Sequence, residues 1–307
     1  MEINNSYVFL AIGKTQESTE GFKKYIGVGS SFVVAVNPTK KEFEDIIGHE
    51  VANDPEYVVN TDNGKEARIK FVVKTDPNTC NGVEIINQVM FTLRNAPAYN
   101  KDQSKVQVID KYGNSTWAPT EDAKAGKKLF SATGKELKID SSYRIACVGE
   151  ADLIGFLKAY LCVGDAFNYV NDSWVKKENA DDFLFSLEHV KDYFSGDFSE
   201  VKDAIALQPN NKVKLLYGVR TTDEGKQYQT IATRSGMVLY NSAGSKALSK
   251  LEKDLANAKN SGSYASTDFR VQELSEYSVE PTNFSSAPTT STGGQGSEVS
   301  MGDMPWD

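Results

Sequence analysis

"YIGVGSSFVVAV", residues 25–36, is the stretch on which the fold turns. Its β-branched and aromatic residues, interleaved with small polar ones, read as one long strand. Gly27 and Gly29 lie inside it, which suits a strand that is strongly bent or bulged, as in a barrel. Working outward, "YVFLAI" (7–12), "ARIKFVVKT" (67–75), "EIINQVMFTLR" (84–94) and "KVQVID" (105–110) have the same character. Turn clusters "NPTK", "TDNGK", "TDPNTCNG" and "KYGN" separate them. "TKKEFEDIIG" (39–48) reads as a short helix started by Thr39 and stopped by Gly48.

From residue 150 the period changes. "GEADLIGFLKAYLCV" places Leu153, Ile154, Leu157, Tyr160 and Leu161 on one helical face. "NADDFLFSLEHVKDYFSG" and "DFSEVKDAIAL" continue the helical character, so 150–208 is expected to be a helical insertion. Strands then return. "NKVKLLYGVRTT" (211–222) and "KQYQTIATRSGMVLY" (226–240) flank "DEG" and predict a hairpin. An amphipathic helix over 242–262 and a closing strand over 269–279 are expected to follow. The fold class expected is mainly β with a helical insertion (α+β). Five or six strands with a bent second one favour an OB-like Greek-key barrel carrying large insertions. The barrel domain is placed at 1–277 and a disordered acidic C-terminal tail at 278–307, where Pro, Ser, Thr and Gly dominate.

Charge is distributed unevenly. The chain holds 42 acids and 34 bases, and its last base is Arg270. Six acids follow it, which leaves 36 acids against 34 bases before Val271. The body is therefore near neutral, compatible with a basic groove, and the asymmetry sits in the tail. Hydrophobic residues make up 39%, enough for a real core. No segment is apolar enough to span a membrane, and the opening "MEINNSYVFLAIG" does not read as a secretory leader. Cys80, Cys147 and Cys162 are odd in number and lack CxxC spacing, so they are expected to be reduced and buried, in a protein working in the cytoplasm.

Enzymatic motifs do not assemble. Gly13-Lys14-Thr15 is half of a phosphate-loop signature, but Val8 stands where the other half needs glycine. His49 and His189 are far apart and expected to be structural. Asp181 and Asp182 fit capping of a helix start. No catalytic residue, cofactor or metal site is expected.

A different pattern does emerge. The stretch 91–117 interleaves Phe91, Arg94, Tyr99, Lys101, Lys105, Lys111, Tyr112 and Trp117. Tyr143, Arg144, Trp174, Lys176 and Lys177 continue it, and the later hairpin adds Tyr217, Arg220, Lys226, Tyr228 and Arg234. Single-stranded nucleic acid demands this combination, since bases stack on rings while phosphates need cations. Tyr99, Tyr112 and Trp117 flank turn residues and are the first choice for stacking. The chain ends on "DMPWD": Met304, Pro305 and Trp306 offer an apolar plug, and Asp303 and Asp307 offer charge, as a docking peptide for a partner would.

The segments "YIGVGSSFVVAVNPTKKEFEDIIGHEV", "KFVVKTDP", "VMFTLRNAPAYNKDQSKVQVIDKYGNSTWA" and "GEADLIGFLKAYL" resemble single-stranded DNA-binding proteins of crAss-like and related phages of gut Bacteroidales. The resemblance spans roughly residues 20–235. It implies a non-enzymatic protein that coats single-stranded DNA during phage replication or recombination in the host cytoplasm. The tip is similar in kind to bacterial single-stranded DNA-binding tips ending in Ile-Pro-Phe, but carries Trp306 for the phenylalanine and one further residue, Asp307. That departure points to a phage-encoded polymerase, helicase or primase as the tail's partner. The alternative is a structural or cargo protein of the virion with a C-terminal docking peptide; a Mg²⁺-dependent nuclease is the weaker rival.

Overall fold

The computed structural model describes residue 25, residues 27–221, 227–231, 233–234, 237–238 and 240–244. The expected strand 7–12, the helix over 242–262 beyond residue 244, the strand 269–279 and the tail lie outside these residues.

In chain order the elements are β1 (Gly27–Val36), α1 (Lys40–Ile47), β2 (Val58–Thr61), β3 (Gly64–Thr75), β4 (Ile86–Pro97), β5 (Lys105–Ile109), β6 (Ser115–Pro119) and α2 (Thr120–Lys124). Next come β7 (Arg144–Ile145), β8 (Cys147–Val148), α3 (Glu150–Leu161), β9 (Phe167–Val170), β10 (Ser173–Lys176), α4 (Val190–Tyr193) and α5 (Ser199–Ala206). β11 (Val213–Thr221), β12 (Gln227–Ile231), β13 (Thr233–Arg234), β14 (Met237–Val238) and β15 (Tyr240–Ser242) complete the set. The fold is mainly β. Its largest sheet runs β12-β11-β1-β3-β4-β8, with β15 beside β11 and β2 beside β3. That sheet is open, a curled half-barrel. β6-β5-β7 form a separate three-stranded sheet, and β9-β10 and β13-β14 are two-stranded.

The chain divides into two compact units. The first holds the described parts of Met1–Ser31, Thr75–Asn87 and Lys214–Asp307. Its core gathers Tyr25, Cys80, Leu215, Tyr217 and Ile231. A buried Gln229 side chain ties this unit together: its Oε1 accepts from Tyr25 N at 2.9 Å, and its Nε2 donates to Tyr25 O and Gly218 O, both at 2.7 Å. Gly29 is small because it must be, since a Cβ there would lie 2.4 Å from Cys80 Sγ and 3.3 Å from the Tyr217 ring.

The second unit holds Phe32–Lys74 and Gln88–Val213. Phe71, Phe91 and Phe156 meet at centroid separations of 4.8–5.9 Å and form its centre. α1 begins and ends as its sequence predicts. The Thr39 hydroxyl accepts from Glu42 N, the Glu42 carboxylate accepts from Thr39 N at 2.8 Å, and Gly48 adopts φ 77. α3 buries Leu153, Ile154, Phe156, Leu157, Ala159 and Tyr160, so it is apolar around most of its circumference.

The insertion is not purely helical. Between α3 and α4 the chain makes the β9–β10 hairpin, and Asp181 and Asp182 fall in a single 3₁₀ turn, Ala180–Phe183. His189 precedes α4 rather than lying mid-helix. Of the cysteines only Cys80 is buried; Cys147 is half-buried and Cys162 exposed. Among the described residues no helix is long and apolar enough to cross a membrane.

Candidate functional site

Within the second unit, β5, β6 and β7 present Val106, Val108 and Ala118 on one face, which packs with Ala123 and Leu129. Leu137, Ile139 and Tyr143 of the following loop close over that face. The loop is fixed locally: Tyr143 Oη donates to Lys127 O at 2.7 Å, and Phe130 bridges Glu136. The β9–β10 hairpin comes next to it. Its register opposes Trp174 to Tyr169 and Lys176 to Phe167, so these four side chains share one face while Val170 and Val175 point out. Loop and hairpin together enclose a cavity of about 290 Å³ whose lining includes Lys127, Lys128, Glu136, Tyr143, Trp174 and Lys176.

Cations and rings interleave around this cavity. Lys138 Nζ lies 5.1 Å from the Trp174 ring centre, Lys135 Nζ 4.3 Å from that of Tyr169, and Trp174 and Tyr169 sit 4.9 Å apart. Phe130, 44% exposed, has Lys128 Nζ at 5.8 Å. Four of the lysines also hold carboxylates: Lys127–Asp122 at 3.2 Å, Lys128–Glu136 at 3.0 Å, Lys138–Asp165 at 2.6 Å and Lys176–Asp140 at 2.5 Å. Burial pushes the Asp140 carboxyl up, but the Lys176 ammonium and the Ser142 amide and hydroxyl outweigh it and leave the group below its ordinary range. The same pairing holds Lys176 protonated above the usual lysine range. Such a surface can stack flat rings and neutralise phosphates.

The residues singled out from sequence fare unequally. Trp174, Lys176 and Tyr143 line the cavity. Lys105, Trp117 and Arg144 share the opposite face of the β5–β6–β7 sheet by register. Lys101, Lys105 and Lys111 are exposed, and Tyr99 is half-buried against the Val106 cluster. Others are engaged in holding the fold. Phe91 belongs to the phenylalanine core. Arg94 Nε donates to Glu66 at 2.9 Å, and Arg144 pairs with the buried Glu150 carboxylate and donates to Leu187 O.

Tyr112 departs from expectation for a definite reason. Its turn is sealed rather than open: Asp110 Oδ1 accepts from Tyr112 N and Asn114 N, both at 2.9 Å. Lys158 Nζ donates to Tyr112 O, and the ring packs edge-on against Phe167 at 5.4 Å, which leaves Tyr112 only 2% exposed. In the first unit Tyr217 is wholly buried, its hydroxyl 2.6 Å from Ser31 Oγ. Buried rings have no face to offer a base. The backbone of β11 and β12 pairs Arg220 with Tyr228. Their side chains, that of Arg234, and Lys226, Asp303, Met304, Pro305, Trp306 and Asp307 lie outside the described residues.

Sequence reasoning missed Lys127, Lys128, Lys135, Lys138, Phe130 and Tyr169. The signal was present as "KAGKKLF" (124–130) and "GKELK" (134–138), two lysine-rich turns around one phenylalanine. A second cavity, of about 460 Å³, has Lys40, Asp54, Tyr57, Phe198 and Lys202 in its lining. There the Tyr57 hydroxyl is committed to Pro38 O at 2.5 Å and Thr39 to its own capping box. Among the described residues no cluster of His, Cys, Asp and Glu is arranged to hold a metal ion. Comparison with protein-family models, curated proteins and solved structures gives no match to any of them.

Proposed function

We propose that this chain is a sequence-independent single-stranded DNA-binding protein acting in phage DNA replication or recombination. The observation that carries the reading is the cavity between the 126–143 loop and the β9–β10 hairpin, where Trp174 and Tyr143 stand among Lys127, Lys128 and Lys176. Bases stack on aromatic faces for roughly 1–3 kcal/mol each, and clustered ammonium groups follow the backbone. The open sheet with its long central β1 is read as an OB-like architecture carrying large insertions. The protein works without catalysis in the host cytoplasm, and the acidic tip Asp303–Asp307 recruits a replication partner such as a polymerase, helicase or primase.

The test is a titration with dT oligomers at several salt concentrations, using a Trp306→Phe variant so that the tail does not contribute to the tryptophan signal. Quenching with a steep loss of affinity as salt rises is expected, because each neutralised phosphate releases counterions. Preference for duplex, or binding indifferent to salt, would sink the reading.

A further inference from the structure

Lys127–Asp122 is exposed on both sides, and the other three ion pairs around the cavity are of two kinds. In Lys128–Glu136 and Lys176–Asp140 the acid is the sheltered partner, with side chains 17% and 8% exposed, while the lysines stand at 66% and 46%. These carboxylates are built into the wall and serve to aim a cation outward. In Lys138–Asp165 the order is reversed. The Lys138 side chain is 22% exposed, and its ammonium lies 5.1 Å from the Trp174 ring centre. Asp165 is the outer partner at 59%, 2.6 Å away. It follows α3 and precedes the hairpin, on the short segment Gly164–Ala166, where it pairs with Lys138 and its charge also acts on the half-buried Lys158 ammonium.

We infer that Asp165 occupies a phosphate subsite: an anion of the nucleic-acid backbone displaces its carboxylate from Lys138, one step from the base stacked on Trp174. This rests on the single-stranded DNA-binding reading and specifies where one phosphate of that ligand sits. The physical argument is one of geometry and exchange. Lys138 is held by its own burial and by the ring, so its ammonium keeps its place when the acid leaves. An exposed carboxylate gives up little on returning to water, since pairing at a surface adds little to stability. A phosphate brings more acceptor oxygens to the same ammonium and releases counterions from the DNA. Asp165 thus keeps the subsite neutral in the free protein and makes binding an exchange of anions. Asp140 cannot make that exchange, because leaving would strand a buried acid, and Glu136 is more sheltered than Asp165.

The experiment uses the full-length chain and a dT oligomer. Asp165→Asn is expected to tighten binding and to steepen the plot of log affinity against log salt by up to about 0.7, the increment for one phosphate contact on a single strand. Asp140→Asn is expected to weaken binding, because Lys176 loses its anchor. Lys138→Gln should weaken binding, and adding Asp165→Asn to it should then change nothing. Unfolding curves for each variant separate loss of the fold from loss of the subsite. Unchanged or weaker binding by Asp165→Asn overturns the inference while leaving the DNA-binding reading standing. A wild-type chain that ignores single-stranded DNA overturns both.

Discussion

Trp174 and Tyr112 show how one sequence pattern yields two fates. Both are aromatic residues within two positions of a lysine and near a turn, and the sequence favours Tyr112 of the two. What separates them is a partner more than thirty residues away in each case. Tyr112 is covered by Phe167 and pinned through its carbonyl by Lys158, whereas Trp174 keeps an edge on the cavity. Periodicity reports which residues alternate; it cannot report that a distant segment will fold over a turn. Trp174→Leu keeps apolar bulk in contact with Tyr169 but removes the flat π-face. It should weaken dT-oligomer binding by about 1–3 kcal/mol, the worth of one stacked base. Affinity equal to that of the unaltered chain would remove Trp174 from the site. Asp140 makes a claim about pH at the same scale. Its folded carboxyl titrates below the ordinary value, so its contribution is fully present above about pH 4 and fades as pH falls through the folded value. Urea unfolding at pH 5 and pH 3 should show a larger loss for the unaltered chain than for Asp140→Asn.

Elements with local signals were legible. α1 announces itself by Thr39, Glu42 and Gly48, and the structure places the cap, the reciprocal carboxylate and the left-handed stop on those residues. Thr39→Ala should therefore cost about 1 kcal/mol of stability, within the range seen for removed N-caps, readable as a shift of the urea midpoint with unchanged slope. The strands β1, β3, β4, β5 and β11 follow the β-branched runs to within a few residues, whereas the arm expected over 226–240 is, among the described residues, divided between β12 and the separate β13–β14 pair. β9 and β10 were missed because the stretch lies between helical periodicities and each strand has only four residues. Yet the turn joining them was readable. Asn171 and Asp172 take φ 48 and 60, the left-handed pair that a two-residue hairpin turn demands and that Asn and Asp tolerate best. β8, two residues long, had no pattern to find. The candidate site inherits this division: its lining comes from the missed hairpin and from a loop whose lysines looked like an ordinary solvated face.

Across the whole chain, strand order was the least legible property. β1 runs between β11 and β3, so one neighbour lies close in sequence and the other far away, and nothing local encodes that choice. Charge, by contrast, is a sum that the sequence states outright. The chain carries −8 overall, and its last 37 residues hold six acids without a base. A polyanion approaching such a protein meets an opposing field that the tail makes worse. Deleting Ser297–Asp307 removes Glu298, Asp303 and Asp307 and no base, moving the formal charge from −8 to −5. Affinity for a dT oligomer should then hold or rise, most visibly at low salt where the Debye length is about 30 Å. Recruitment of a replication partner, followed by pull-down with the phage polymerase, helicase or primase, should disappear, since Met304, Pro305 and Trp306 leave with the acids. The two readouts move in opposite directions only if the tip is a docking peptide and not part of the DNA site. A truncated chain that loses DNA affinity would place Trp306 among the stacking residues instead.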